Sequence, residues 1–188
     1  MNKTFKNYIF SRQIILVSLI FLICFIFTTY LHTTFTKKEA IKHSEGISKQ
    51  VFSSMYQVMR KGWSREDVII FAKSLEDNFE GSNCQINIYR SDKVKQLFGE
   101  IQEKEKDATL VDILNGKIEK LNGFEDNIVR NILPLKATAD CKSCHLNAEV
   151  GDVLGVVEVK QNLNSIFLES KYQYIVFFLI IVPIFYLL

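Results

Sequence analysis

Residues 127–159, NIVRNILPLKATADCKSCHLNAEVGDVLGVVEV, decide how this chain is built. Two stretches rich in Ile, Leu and Val, 127–136 and 153–159, flank a polar loop, and both read as strands. Pro134 near the end of the first suggests an edge position or a close approach to a ligand, because proline cannot donate to a ladder. Gly151-Asp152 before the second is a turn signal. Between them lies Cys141-Lys142-Ser143-Cys144-His145. Two thiols spaced in this way can form thioethers with the two vinyl groups of a haem. The histidine that follows is then held beneath the iron as its proximal ligand. The expected cofactor is one covalent haem c on Cys141, Cys144 and His145.

Three other chemistries compete for the same residues. Structural zinc wants four ligands, and the only other thiols are Cys84, on an inferred strand, and Cys24, inside an apolar run. A thioredoxin-like redox pair needs a βαβ setting, which is missing around the motif. A plain disulfide between Cys141 and Cys144 is the third.

Outward from this stretch, the chain has an apolar run at each end. Residues 13–31 carry no charge and number 19, close to the ~20 that cross a bilayer core as a helix. Lys3, Lys6 and Arg12 precede them without an acid, which places residues 1–12 in the cytoplasm. Bulky residues stand where a signal-peptide cleavage site would have small ones, so an uncleaved anchor is expected. Residues 172–188 form a second uncharged run, 17 long, read as a second span. The chain stops inside it, so a cytoplasmic output region is expected beyond. Residues 32–171 hold all 21 acidic residues and 20 of the 23 basic ones, so the intervening domain is near neutral. That excludes nucleic-acid binding, which needs a basic face.

Within 32–171, apolar positions Ile41, Ile47, Val51, Met55, Val58 and Met59 recur at helical spacing. They predict a long helix over 36–59 that continues out of the first span and closes at Lys61-Gly62. That stripe looks larger than one small domain needs, so a parallel homodimer through it is expected. A second helix is predicted over 64–79, opened by a capping pair of Ser64 and Asp67. Residues 84–90 alternate with period two, with Cys84, Ile86 and Ile88 inward. Further helices are predicted around 94–100 and 109–121, and Gly123 separates them from the 127–136 strand. The order of elements gives an α+β domain with a small antiparallel sheet.

The sixth iron position decides what a haem would do. Histidine is scarce: besides His145 there are only His32, at the membrane boundary, and His43. Methionine sulfur suits ferrous iron, and Met55 and Met59 lie one turn apart on the long helix. Met55 is the candidate distal ligand; a core methionine is the alternative. Cys84 reads as a small core residue. No nucleophile–base set or phosphate-binding glycine loop appears, so no catalytic residue is assigned and this segment is not expected to be an enzyme.

The run Asn131-Ile-Leu-Pro-Leu-Lys, then Cys141 to His145, then Gly151-Asp-Val-Leu-Gly-Val-Val-Glu-Val159, resembles the periplasmic PAS-like domains with covalent haem c of bacterial transmembrane receptors. The resemblance extends over about 36–170, with specific motifs only in the second half. It implies a PAS-like antiparallel sheet flanked by helices, between two transmembrane helices in the bacterial inner membrane, with the sensor domain in the periplasm. It implies haem attached by Cys141, Cys144 and His145. The family's distal ligand varies, so Met55 rests on the residues alone. The function expected is an input domain that answers to redox state or to a diatomic gas. A membrane-tethered electron-transfer cytochrome is the second reading, and a haem-free domain with a disulfide the third.

Overall fold

The computed structural model describes residues 3–62, 64–79, 83–101 and 103–187, with side chains from residue 11 onward except at 65, 76, 182 and beyond 183. The chain forms two compact units, one of residues 1–38 with 167–188 and one of residues 39–166.

The first unit contains the early part of α1 (Lys3–Arg60) and most of α5 (Asn164–Leu187). Phe178 meets Phe21 and Phe25 edge-on, at centroid distances of 6.4 and 4.7 Å. Among the described residues, α1 is the one helix long and apolar enough to cross a membrane. The second apolar run forms the helix α5, with Pro183 inside it, and Leu188 lies outside the described residues.

The second unit is α+β. After α1 come α2 (Arg65–Phe79), β1 (Cys84–Arg90), α3 (Asp92–Phe98), α4 (Ala108–Leu114), β2 (Leu121–Glu125), β3 (Ile128–Lys136) and β4 (Val153–Asn162). The four strands form one antiparallel sheet in the order β1-β4-β3-β2. The punctuation expected from sequence is in place. Gly62, at φ 74°, ends α1, where its N–H donates to Met59 O at 3.1 Å. Ser64 and Asp67 cap α2 reciprocally: Asp67 N–H donates to Ser64 Oγ at 3.2 Å, and Ser64 N–H to Asp67 Oδ2 at 3.1 Å. Pro134 lies past Ile132, the last β3 residue paired with β2, so it occupies a local edge.

The strand β2 was not expected. The apolar spacing of 109–121 suggested one helix, but α4 stops at Leu114 and Leu121 opens a hairpin with β3. Its two turn residues, Asp126 and Asn127, both have positive φ (49° and 60°), as a tight type I′ turn requires. Asp and Asn tolerate that region better than most residues, a signal that was present in the sequence.

Both faces of the sheet are covered. Ile86, Val157, Val159 and Leu135 pack with Val51 and Met55 of α1, and Phe71 and Leu75 of α2 adjoin them. On the other face Tyr89, Ile132 and Val156 pack with Leu110 and Ile113 of α4. Strand β1 therefore buries Asn87 and Tyr89 as well as Ile86, while Cys84 and Ile88 of the expected inward set are partly buried. The α1 stripe has the same explanation. Ile47, Val51 and Met55, expected to pair two copies, pack on the protein's own sheet, which removes that argument for a homodimer.

Gly155 on β4 is fixed by contact. A Cβ there would stand 2.6 Å from the backbone oxygen of Tyr89, which cannot swing away. Gly155→Ala is expected to destabilise the domain by about 1–3 kcal/mol, the usual cost of overpacking, read as a lower denaturation midpoint at unchanged slope.

The loop before α4 is held by carboxylates. Glu103 Oε1 accepts from the Arg90 N–H at 2.8 Å, and its Oε2 is 2.6 Å from Lys106 Nζ and 3.0 Å from Lys95 Nζ. Burial works to raise the Glu103 pKa, but Lys106, the Arg90 N–H and Lys95 outweigh it and leave it below its ordinary value. Asp107 is likewise lowered, chiefly by the Arg130 guanidinium. Both groups bind protons more weakly when folded, so their stabilisation is complete above the unfolded values and lost as pH falls through the folded ones. Unfolding at graded pH should show stability falling below about pH 4.5, and Glu103→Gln should make that fall shallower.

Candidate functional site

The motif occupies the connection from β3 to β4. Two backbone bonds close its base: Ala137 N–H to Asp152 O at 2.8 Å and Gly151 N–H to Ala137 O at 2.9 Å. Gly151 has φ 96°, a conformation that favours glycine. The return side is pinned from α3, where Lys93 pairs with Asp152 and the Asn147 side chain donates to Lys93 O at 2.8 Å.

Residues Ala139–Ser143 form a 3-10 turn. The N–H groups of Cys144 and His145 both donate to Cys141 O, at 3.2 and 2.9 Å. In a 3-10 turn, side chains three apart eclipse, so this winding puts the two thiols on one side. Cys141 Sγ lies 3.3 Å from Thr138 Oγ1, and Cys144 Sγ accepts from Ser143 Oγ at 3.8 Å. Both cysteines are free thiols, Cys141 half-buried and Cys144 exposed.

His145 points inward. Its Nδ1 is buried without a hydrogen-bond partner, and the Phe98 ring meets it edge-on at 5.2 Å. Burial lowers its pKa, which favours the neutral imidazole that a metal requires. The motif opens on a cavity of about 1220 Å³ walled by α1, α2, β1 and the loop itself. That exceeds the roughly 300–1,000 Å³ common for small-molecule sites, so a large planar cofactor has room.

Met55 lines this cavity and is 5 % exposed; Met59, one turn on, lines it from a more exposed position. His43 is exposed and His32 meets Tyr174 edge-on at 5.5 Å in the other unit, so His145 is the one histidine in the cavity wall. Cys84 packs against the α1-side core, where burial raises its thiol pKa, and it does not line the cavity.

The rival chemistries fit less well. Among the described residues, no three His, Cys, Asp or Glu side chains converge as a metal site would need. The motif joins antiparallel neighbours β3 and β4, which is no βαβ unit. By contrast, two thiols on one side of a turn, an inward imidazole with an unpartnered nitrogen, and a thioether in the same cavity suit a haem attached through the motif.

Sequence reasoning missed three features here. Phe98 was visible as part of the Val94/Phe98 helical spacing, but nothing pointed it at His145. The bond from Tyr56 Oη to Asp140 Oδ2, 2.9 Å, joins residues 84 apart and left no sequence signal. Nor did the buried network around Glu158, whose partners Asn87 and Tyr89 line the cavity. No known protein family matches the chain, and no curated protein matches it in sequence.

Proposed function

We propose that residues 39–166 form a PAS-like, haem c-bearing sensor domain, held at the periplasmic face of a bacterial inner membrane by α1 and α5. In this reading it is the input domain of a signal-transduction receptor. The observation that carries it is that Cys141, Cys144, His145 and Met55 all line one cavity. The PAS-like reading is supported by an antiparallel sheet whose first strand lies beside its last, with helices on both faces.

Cys141 and Cys144 would hold the haem, each thiol as a thioether to one of its two vinyl groups. His145 supplies the proximal nitrogen, kept neutral by burial. Met55 supplies the distal thioether. The bound haem would supply a redox-active iron able to bind a diatomic gas. Thioether sulfur holds ferrous iron better than ferric, so the Met55 grip depends on oxidation state. Met55 sits on α1, the helix that also carries the apolar run, so a change in that grip would bear on this helix.

The test is haem staining of the denatured protein, followed by carbon monoxide or nitric oxide titration of the reduced protein by Soret absorbance. Wild type should stain and bind gas, and Met55→Ala should bind it faster or more tightly. Refusal of both gases by wild type, with no effect of Met55→Ala, would favour a fixed electron carrier instead.

A further inference from the structure

One contact ties together the two cavity walls that carry the donor atoms. Tyr56 follows Met55 on α1, and Asp140 precedes Cys141 in the 3-10 turn. Tyr56 Oη donates to Asp140 Oδ2 at 2.9 Å, and both residues line the cavity. The Tyr56 ring is steadied along α1: Phe52 lies 6.2 Å away and the Arg60 guanidinium 5.8 Å over its face.

The same helix is pinned to the sheet further back. Ser48 Oγ donates to Asn131 Oδ1 at 2.5 Å and Ser44 Oγ to Gln161 Oε1 at 3.2 Å, and both serines are wholly buried. So α1 is fixed on the sheet at Ser44 and Ser48, then runs past Val51 and Met55 to meet the attachment loop at Tyr56. The return side of that loop is held separately from α3. On its outgoing side, where the thiols sit, Tyr56 reaches it at Asp140.

We propose that Tyr56 and Asp140 are a positioning pair that fixes the attachment loop against the Met55 turn of α1. Under the haem reading, on which this role rests, the pair sets how firmly the Met55 sulfur is held toward the iron. Neither residue touches the iron. Their bond removes a freedom that the loop and the end of α1 would otherwise have, which is preorganisation of the donor set.

The pair can be tested without haem as well as with it. In the full chain in micelles, made without haem maturation, amide exchange at Cys144 and His145 reads the winding of the loop. Tyr56→Phe and Asp140→Ala should each speed that exchange by about 2- to 10-fold, the range one hydrogen bond supplies. Asp140→Asn keeps an acceptor oxygen and should stay near wild type. The Tyr56→Phe/Asp140→Ala double variant should be no faster than Tyr56→Phe alone, since the hydroxyl that reaches Asp140 is already gone there. In the haem-loaded reduced protein, Tyr56→Phe should speed carbon monoxide binding by a similar factor. Unchanged exchange in Tyr56→Phe, or additive effects in the double variant, would overturn the pair. Wild type that never stains for haem, yet shows the exchange pattern, would overturn its role toward the iron and the haem reading with it.

Discussion

Changing Cys141 and Cys144 together to alanine, in cells that mature c-type haem, is expected to abolish haem staining on a denaturing gel. The effect is all or none because only thioethers survive denaturation; in the proposed site His145 and Met55 would hold iron by bonds that unfolding breaks. Each single variant keeps one attachment and should stain more weakly. The variants should still fold, since Cys144 is exposed, Cys141 half-buried, and neither belongs to the two buried clusters. An unchanged far-ultraviolet circular dichroism spectrum would confirm that folding is intact and that attachment alone was lost. Staining that persists in the double variant would mean another residue carries the haem, and the central assignment would be wrong.

Arg130→Ala should be the most damaging single substitution in the sheet. Glu158 has no solvent exposure, and Arg130 reaches it through Nε at 2.7 Å and a terminal nitrogen at 2.6 Å. Asn87 and Tyr89 also donate to that carboxylate, at 3.0 and 3.3 Å, and Lys160 Nζ stands 3.3 Å away. Arg130 in turn reaches Asp107 at 2.6 Å, the residue that caps α4. Removing the guanidinium leaves a buried carboxylate short of its planar partner, a loss of about 3–5 kcal/mol when one member of a buried pair is deleted. Whole domains are stable by only about 5–15 kcal/mol, so this loss removes a large share of the total and a much lower denaturation midpoint is expected. Denaturant unfolding would measure it. Arg130→Lys keeps the charge without the fork and should fall between wild type and alanine. A loss below about 1 kcal/mol would show that Lys160 suffices and that the guanidinium is dispensable.

Much of this protein follows from local rules that need no partner. The span-length apolar run in α1, the Ser64–Asp67 cap, the Gly62 stop, the alternation of β1 and the Cys141–Cys144–His145 spacing all depend on residues within a few positions of one another. Such features are written in sequence because helix period, strand period and turn chemistry act over that range. The hairpin turn at Asp126-Asn127 belongs to the same class, but strand β2 before it is not legible, because the short apolar spacing that ends at Leu121 fits either period.

Other features are settled only when distant segments meet. Met55 could have been a core residue or a cavity residue by its spacing, and packing α1 on the sheet makes it both. The stripe of Ile47, Val51 and Met55 looked like spare surface until the sheet covered it. Glu158 alternates among apolar neighbours on β4, and nothing nearby in sequence explains a buried acid. Its partners Asn87, Tyr89 and Arg130 arrive from β1 and β3, 71, 69 and 28 residues away. The Tyr56–Asp140 contact spans 84. Contacts of that length are decided by strand order and helix docking, where burial and charge pairing are evaluated across the whole core at once.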